Sequence, residues 1–316
     1  MGTASPMMTA LVTGGGGRLG RVISTALKAL PNLKTQSAKH AECDLTDLSC
    51  LREYVRQCDP DVIVNCAAYT DVDGCEEDPS LAFACNAAGA GNLARVASEL
   101  GARLVHISTD YVFDGAKSTP YVESDAACPL NAYGRSKLLG EQYVRELLSR
   151  HLILRTSWLY GAFERGFIQT ILEMAKQQEH LSVVADTFGT PTYAGDLARQ
   201  VVALLDAELN GTFHCSSQGA CTRFEWALLA LQLNGFERAG GDEKGIWLLG
   251  PGPRRRRIFL AAVGSMSIES RSAPRPLYSV LDNYGLRAQG LDVMPEWAVS
   301  FRACFRELTK RMTTAA

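Results

Sequence analysis

The sequence lacks any apolar run approaching the roughly 20 residues that span a bilayer. Its first residues lack the charged region and long apolar stretch of a signal peptide. It has no Cys-x-x-Cys pair, because the ten cysteines of this 316-residue chain are scattered. In a chain of this length they read as reduced thiols, not as a disulfide frame or a zinc site. An excess of one charge sign is missing too. With 32 basic against 34 acidic residues, nothing points to nucleic acid or an anionic membrane as the main partner. No internal repeat or long low-complexity stretch is visible. These absences leave a soluble, cytoplasmic globular protein, expected as a monomer or homodimer with no metal site. The length allows about two domains or one large α/β unit.

What is present is a strand, a glycine turn and a helix. Met1 to Pro6 read as a disordered leader, and Met8 to Thr13 as a buried strand. The strand runs into Gly14-Gly15-Gly16-Gly17-Arg18-Leu19-Gly20, and a helical apolar pattern follows through Leu30. Glycines at 14, 17 and 20 permit a sharp turn, close approach to a pyrophosphate and tight packing of the helix on the sheet. Such a turn in this context points to dinucleotide binding. The second strand, Leu33 to Ser37, is poorly written, with few apolar residues and an uncertain register. No carboxylate stands at its end to hold an adenosine 2′-hydroxyl; Ser37 and Lys39 are there, with Arg18 nearby in the loop. These groups suit a 2′-phosphate, which favours NADPH over NADH. Asp47 is placed to cap a helix beginning near Leu48.

Asp61 to Ala68 is the clearest strand, an apolar run without alternation that fits a parallel strand buried on both faces. Cys66, Ala67 and Ala68 at its end are small enough for a cofactor to lie close. A helix is expected from Pro79 to Gly101, carrying Asn86, and a further parallel strand from Ala102 to Ser108. In doubly wound sheets ligands bind outside the carboxyl ends of strands, which places Ser108, Thr109 and Asp110 where chemistry is expected. Another strand runs from His151 to Trp158; a tryptophan there fits either core packing or a flat wall for a sugar ring.

Beyond Trp158 the strand–helix alternation loosens. Helices are expected at Phe167–Gln178, Gly195–Ala207 and Phe224–Leu233, with strands at Leu181–Ala185 and Gly211–Cys215. The fold class is α/β, a doubly wound parallel sheet with a smaller C-terminal domain. Residues 7–158 would form the dinucleotide-binding domain, with 190–216 returning to it, and 159–189 with 217–316 the substrate domain. Arg254 to Arg257 read as an exposed loop, a solvated run in preference to a diphosphate grip. Ile258 to Val263 has no evident place.

Tyr133 and Lys137 lie four residues apart, so on a helix they share one face. Of the ten tyrosines only Tyr133 has a lysine at that spacing. An ammonium beside a phenol favours the phenolate and lowers its pKa from about 10, making tyrosine a usable proton donor. Alone, the pair equally fits the edge of an ordinary amphipathic helix.

The glycine turn, Ser108-Thr109, and Tyr133 with Lys137 together resemble the extended short-chain dehydrogenase/reductase family. Longer segments narrow the resemblance: Val64 to Asp73, Ser108 to Gly115, Pro129 to Lys137, Leu154 to Gly161, Asp186 to Thr192 and Ala273 to Pro276. These are similar to the dTDP-4-dehydrorhamnose reductases and their relatives that reduce 4-keto deoxysugar nucleotides. The resemblance implies that Gly14, Gly17, Arg18 and Leu19 cradle a pyrophosphate. It implies that Asp44 and Leu45 meet the adenine, and that Cys66, Ala67 and Ala68 line the cofactor. Lys137 would hold the nicotinamide ribose and acidify Tyr133, the proton donor to a C4 carbonyl. Thr109 would donate a hydrogen bond to the same oxygen, and Val72, Asp73, Asp110, Tyr111 and Trp158 would shape the sugar pocket.

The chain departs from that pattern in its four consecutive glycines, in its second strand and over Gly240–Ser272. Three alternatives are weighed by their residues. A 4,6-dehydratase needs Asp-Glu after the threonine, whereas Tyr111 follows Asp110 here. A 4-epimerase usually carries Ser-Ser-x-x-Val-Tyr-Gly at this strand end. A non-catalytic NADP-binding subunit, like the β subunit of methionine adenosyltransferase, keeps the Tyr and Lys but carries other residues in place of Thr109 and Trp158. Which deoxysugar is the product, for a cell wall or a secondary metabolite, is left open by the sequence.

Overall fold

In the computed structural model, residues 7–163, 166–207, 209–252, 255–267 and 272–313 are described. The expected leader and Arg254 lie outside the described residues. The first half alternates strand and helix: β1 (Met8–Thr13), α1 (Arg18–Lys28), β2 (Leu33–Ala38), α2 (Leu48–Cys58) and β3 (Val62–Asn65). Short helices α3 (Val72–Glu77) and α4 (Pro79–Phe83) precede α5 (Gly89–Leu100), β4 (Arg103–Thr109), α6 (Ala132–Leu147) and β5 (His151–Thr156). Asp47 caps α2 by accepting from the backbone N–H groups of Ser49 and Cys50 at 2.9 and 3.0 Å.

The second half begins with β6 (Leu159–Tyr160), α7 (Phe167–Gln177), β7 (His180–Val184), β8 (Phe188–Gly189), β9 (Thr192–Tyr193) and α8 (Ala194–Ala203). It continues with β10 (Gly211–His214), β11 (Cys221–Thr222), α9 (Arg223–Leu233), β12 (Glu237–Asp242), β13 (Gly245–Leu249) and β14 (Arg257–Val263). Helices α10 (Tyr284–Ala288) and α11 (Trp297–Thr313) close the chain.

The main sheet is parallel throughout, in the order β10-β5-β4-β3-β1-β2. Successive residues of its central strands feed two separate cores. Val12, Val64, Ile107 and Leu154 pack with Ile23 and Leu27 of α1 and Leu197 and Val201 of α8. Leu11, Ile63, Leu104 and Ile153 pack with Val55 of α2, Leu93 of α5 and Val144 of α6. This is the doubly wound, Rossmann-type arrangement, and it explains the unalternating strands. It also explains the faint second strand, since β2 is an edge strand and only its last residue is buried.

The expected helix from Pro79 to Gly101 is interrupted by a π-helical turn at Ala84–Ala88. The turn carries Asn86, whose amide brackets the backbone of Tyr69, accepting from its N–H at 2.8 Å and donating to its C=O at 2.9 Å. Asn86 also donates to the Ser136 hydroxyl at 3.0 Å, tying the segment after β3 to α6. Extra-residue turns of this kind concentrate at functional sites.

A second sheet runs β12-β13-β14-β7, with β14 parallel to β7 and the other pairs antiparallel. The unplaced segment Ile258–Val263 is therefore β14, and Arg257 begins the strand instead of belonging to a loop. The Arg255 side chain pairs with Glu237. Helix α8 ends at Ala203, four residues before the expected bound.

Candidate active site

Three strand ends and one helix build the site. Gly14 takes φ +67°, and a Cβ there would stand 2.6 Å from the backbone nitrogen of Ala67. A Cβ on Gly20 would stand 2.2 Å from the Gly14 carbonyl oxygen. The turn is thus wedged against the end of β3 and against its own helix, as close backbone approach requires. Gly17 caps α1 without any side-chain hydrogen bond, so the N–H groups of the first turn are not closed off by a side chain. A helix start of this kind accepts an anion, and the residues present fit a dinucleotide pyrophosphate.

Lys39 extends over the loop, its Cγ 3.3 Å from where a Cβ of Gly16 would stand. The Ser37 hydroxyl donates to Ser24 at 2.7 Å, and Glu42 is turned onto the backbone N–H of Lys39 at 2.8 Å. The end of β2 therefore presents a lysine, consistent with a 2′-phosphate. The Arg18 guanidinium lies 5.6 Å from the ring of Phe163. Leu19 is a buried residue of the first turn of α1. Asp44 holds the turn through Thr46, whose N–H and hydroxyl donate to it at 2.9 and 2.8 Å; these bonds lower its pKa. Leu45 is buried, and its carbonyl accepts from Asn92 at 2.9 Å. Cys66 and Ala67 are half-buried and Ala68 exposed, in line after β3.

Helix α6 is set in place by Asn131, fully buried at its start. Its side-chain Oδ1 accepts from Gly134 N–H at 2.8 Å and its side-chain NH₂ donates to the Pro274 carbonyl at 2.8 Å. Gly134 has no room for a side chain, because a Cβ would lie 2.1 Å from the carbonyl oxygen of Tyr111. That fit brings Tyr133 against the end of β4. Its ring meets Tyr111 edge-to-face at 5.9 Å, and the nearby Thr109 hydroxyl favours its phenolate. The Thr109 hydroxyl donates to Asp110 Oδ1 at 3.1 Å and accepts from Tyr111 N–H at 3.2 Å. Burial pushes the Asp110 carboxyl up to about 6, although Ser279 and Thr109 hydrogen bonds oppose it.

The structure corrects one expectation. Burial raises the Tyr133 pKa above its ordinary value, with the Thr109 hydrogen bond only partly opposing it, and no lowering by Lys137 is seen. Lys137 is 2% exposed, and its Nζ donates to the Ile107 carbonyl at 2.8 Å. Its own pKa is pushed down to about 8 by burial, against the pull of Glu141 and Cys66. A lysine whose charge is itself disfavoured is a weak acidifier of a neighbouring phenol.

Sequence reasoning missed the support beneath this helix. Glu141, fully buried one turn beyond Lys137, accepts from Arg155 Nε and Nη2 at 2.9 and 2.7 Å and from the Ser108 hydroxyl at 2.6 Å. Burial alone would raise the Glu141 pKa, but Arg155 and Ser108 bring it below the ordinary value. The pair locks α6 to the ends of β4 and β5. The only hint in the sequence was two charged residues inside otherwise apolar contexts.

A cavity of about 440 Å³ opens beside Tyr111, with Val72, Trp158, Thr187, Arg223 and Arg275 in its wall. Trp158 adopts φ +39° and is sandwiched: the Arg223 guanidinium lies 3.7 Å from its ring centroid, and a Cβ on Gly189 would fall 2.3 Å from the ring. Arg223 had no signal in the sequence. Asp73 reaches this cavity only through Arg275, which it holds at 2.8 and 3.1 Å while also accepting from the N–H groups of Ser272 and Ala273. No cluster of potential metal ligands occurs among the described residues.

Comparison with known proteins gives consistent findings. Residues 8–310 match the family model described as RmlD substrate binding domain. A dTDP-4-dehydrorhamnose reductase of Mycolicibacterium smegmatis is 37% identical over 91% of this chain and 82% of its own length. A dTDP-4-keto-6-deoxy-D-glucose reductase of Streptomyces niveus is 38% identical over 93% of this chain and 96% of its own. The crystal structure of dTDP-4-dehydrorhamnose reductase from Bacillus anthracis in complex with NADP superposes with a TM-score of 0.83 at 34% identity, covering 95% of this chain and 99% of that one.

Proposed function

The chain belongs to the RmlD substrate binding domain family, and on that premise we propose that it reduces the C4 carbonyl of a dTDP-4-keto-6-deoxysugar with NADPH. The preferred substrate is dTDP-4-dehydro-L-rhamnose and the product dTDP-L-rhamnose. The observation that carries this reading is Tyr133 packed edge-to-face on Tyr111 at the end of β4, where Tyr111 also lines the Trp158 cavity, together with the Gly14 turn wedged against the end of β3. NADP bound to the Bacillus anthracis relative supports the choice of cofactor, as does Lys39 at the end of β2.

When bound, the nicotinamide supplies the hydride, and the protein supplies orientation and electrostatics. Tyr133 gives its phenolic proton to the carbonyl oxygen as charge develops there. Because that phenol is raised, it arrives protonated at neutral pH and needs no prior protonation step. Thr109, whose hydroxyl donates to Asp110 in this structure, would turn that hydrogen to the developing oxyanion as Tyr133 releases its proton. Lys137, one turn along the same face of α6 with Cys66 nearby, holds the ribose of the dinucleotide. Gly14, Gly17, Arg18 and Leu19 receive the pyrophosphate, Asp44 and Leu45 the adenine, and Ala67 and Ala68 the remaining edge. Val72, Asp110, Tyr111 and Trp158 bound the sugar, with Asp73 fixing Arg275 at the rim.

The test is to mix the protein with NADPH and freshly made dTDP-4-keto-6-deoxyhexose and follow the absorbance of the reduced nicotinamide, with and without a 3,5-epimerase. Oxidation that depends on the epimerase supports the rhamnose product. Epimerase-independent oxidation would assign a chemistry like that named for the Streptomyces niveus relative. Tight NADP binding without oxidation of NADPH by either sugar overturns the enzyme reading in favour of a binding subunit.

A further inference from the structure

A buried line of polar groups crosses the ends of β1, β3 and β4 and finishes at Lys137. The Thr13 hydroxyl and the Ala67 N–H both donate to Asn65 Oδ1, at 2.8 and 3.0 Å. A backbone N–H can only donate, so the oxygen of the Asn65 amide must face it and the NH₂ must face the other way. That NH₂ lies 3.0 Å from His106 Nδ1. Facing a donor, Nδ1 must carry the lone pair, and a neutral imidazole then carries its hydrogen on Nε2. His106 is 1% exposed, and burial, reinforced by Lys137, holds its pKa well below the ordinary value, so the neutral ring is the relevant form. Its Nε2 lies 3.5 Å from Lys137 Nζ.

We propose that His106 is a positioning residue that meets Lys137 with a nitrogen-bound hydrogen, so that the cofactor-free site favours the amine over the ammonium. The two forms differ in what they can do in this space. An ammonium has hydrogens only, and one of them would face the hydrogen on Nε2. A neutral amine can donate to the Ile107 carbonyl at 2.8 Å and still offer its lone pair to His106. The long 3.5 Å contact fits a relaxed arrangement that tightens when the amine is neutral. The titratable groups facing Lys137 are Cys66 from the segment after β3, His106 from β4, and Tyr133 and Glu141 from its own helix. Glu141 and Cys66 favour the ammonium and burial favours the amine; the hydrogen on His106 Nε2 would act on the side of burial. The tautomer is set by the Thr13 hydroxyl and the Ala67 N–H, from the residues that lie next to Gly14.

The first test is spectroscopic and does not depend on turnover. The protein labelled with ¹⁵N-histidine has only five histidines, and His106 is identified by its absence in His106→Phe or His106→Gln. The expected pattern near neutral pH is a protonated-nitrogen shift at Nε2 and an unprotonated-nitrogen shift at Nδ1. The reverse pattern, or an imidazolium, overturns the proposal. The second test rests on the reductase activity proposed above: the pH profile of kcat/KM for NADPH, which reports groups of the cofactor-free enzyme. The limb near pH 8 should move upward by about one unit in His106→Phe, because the ring shape remains while the opposed hydrogen is gone. A lower kcat with an unmoved limb would mean a merely structural histidine and would overturn the proposal. Absence of turnover in the wild-type protein would count against the reductase reading alone, since the ¹⁵N pattern is read without it.

Discussion

The two sheets of this molecule are built on opposite plans. The six-stranded sheet is parallel, covered by helices on both faces, and carries buried charge at its carboxyl end: Glu141, Arg155, Lys137 and Asp110 are each at most 5% exposed. The four-stranded sheet is one-sided. Ile246, Leu248, Ile258, Leu260, Leu181 and Val183 face a core with Trp226 and Phe301, while Trp247, Phe259 and His180 cluster together on the other face. Its ion pair, Arg255 with Glu237, stands 48% and 70% exposed. The difference separates two ways of holding structure. The first sheet uses buried polar interactions to fix a few side chains, whereas the second relies on ordinary apolar burial.

Substitutions should divide along that line. The largest effect is chemical: Tyr133→Phe should lower kcat by roughly 10²–10⁴-fold, the usual contribution of a general acid, with little change in melting temperature. Steady-state oxidation of NADPH beside a thermal melt checks both halves. Glu141→Ala strands a buried guanidinium and should cost about 3–5 kcal/mol in urea unfolding. Leu248→Ala empties a fully buried position in the second sheet and should cost about 2–5 kcal/mol, yet leave NADP binding measured by calorimetry unchanged. If NADP affinity fell with it, the independence of the two sheets would be refuted.

Asp110→Asn should act in the stabilising direction. Burial pushes the folded carboxyl up to about 6 from its ordinary 3.8, so between those values the folded state keeps a proton that the unfolded state has lost. Stability therefore declines as pH rises from about 4 to 6 and stays reduced above. The variant escapes that decline and should gain on the order of 2 kcal/mol at pH 7 but nothing below pH 4. Smallest of all, Glu237→Ala should change stability by less than about 1 kcal/mol, as exposed ion pairs do.

The sequence was legible where local pattern and burial agree. The β1–turn–α1 unit, the apolar run of β3 and the Asp47 cap could be read directly because each needs only neighbours in the chain. Thr109, Tyr133 and Lys137 could be named because strand ends and helical spacing are local too. The environment of Lys137 could not, since it depends on the Ile107 carbonyl and His106 from another strand. Arg223 was invisible for the same reason: its partner Trp158 is 65 positions away, and only the fold stacks them. β12, Glu237–Asp242, has two glycines and a register shift between Arg238 and Gly240, and it is exposed throughout, so it carries no strand signature. In the same sheet β14 pairs with β7, far earlier in the chain, which is why its apolar run had no evident place.

The position of β10 has a consequence for synthesis. It is the outer strand beside β5, yet it follows β6 to β9 and two helices in the chain. While the ribosome is still making that intervening stretch, the hydrogen-bonding edge of β5 has no cover, and an uncovered parallel edge invites pairing with another nascent chain. A truncation after Trp158 would fix the protein in that state, so the dinucleotide half alone should be recovered mainly as aggregate, and appending residues through His214 should restore its solubility.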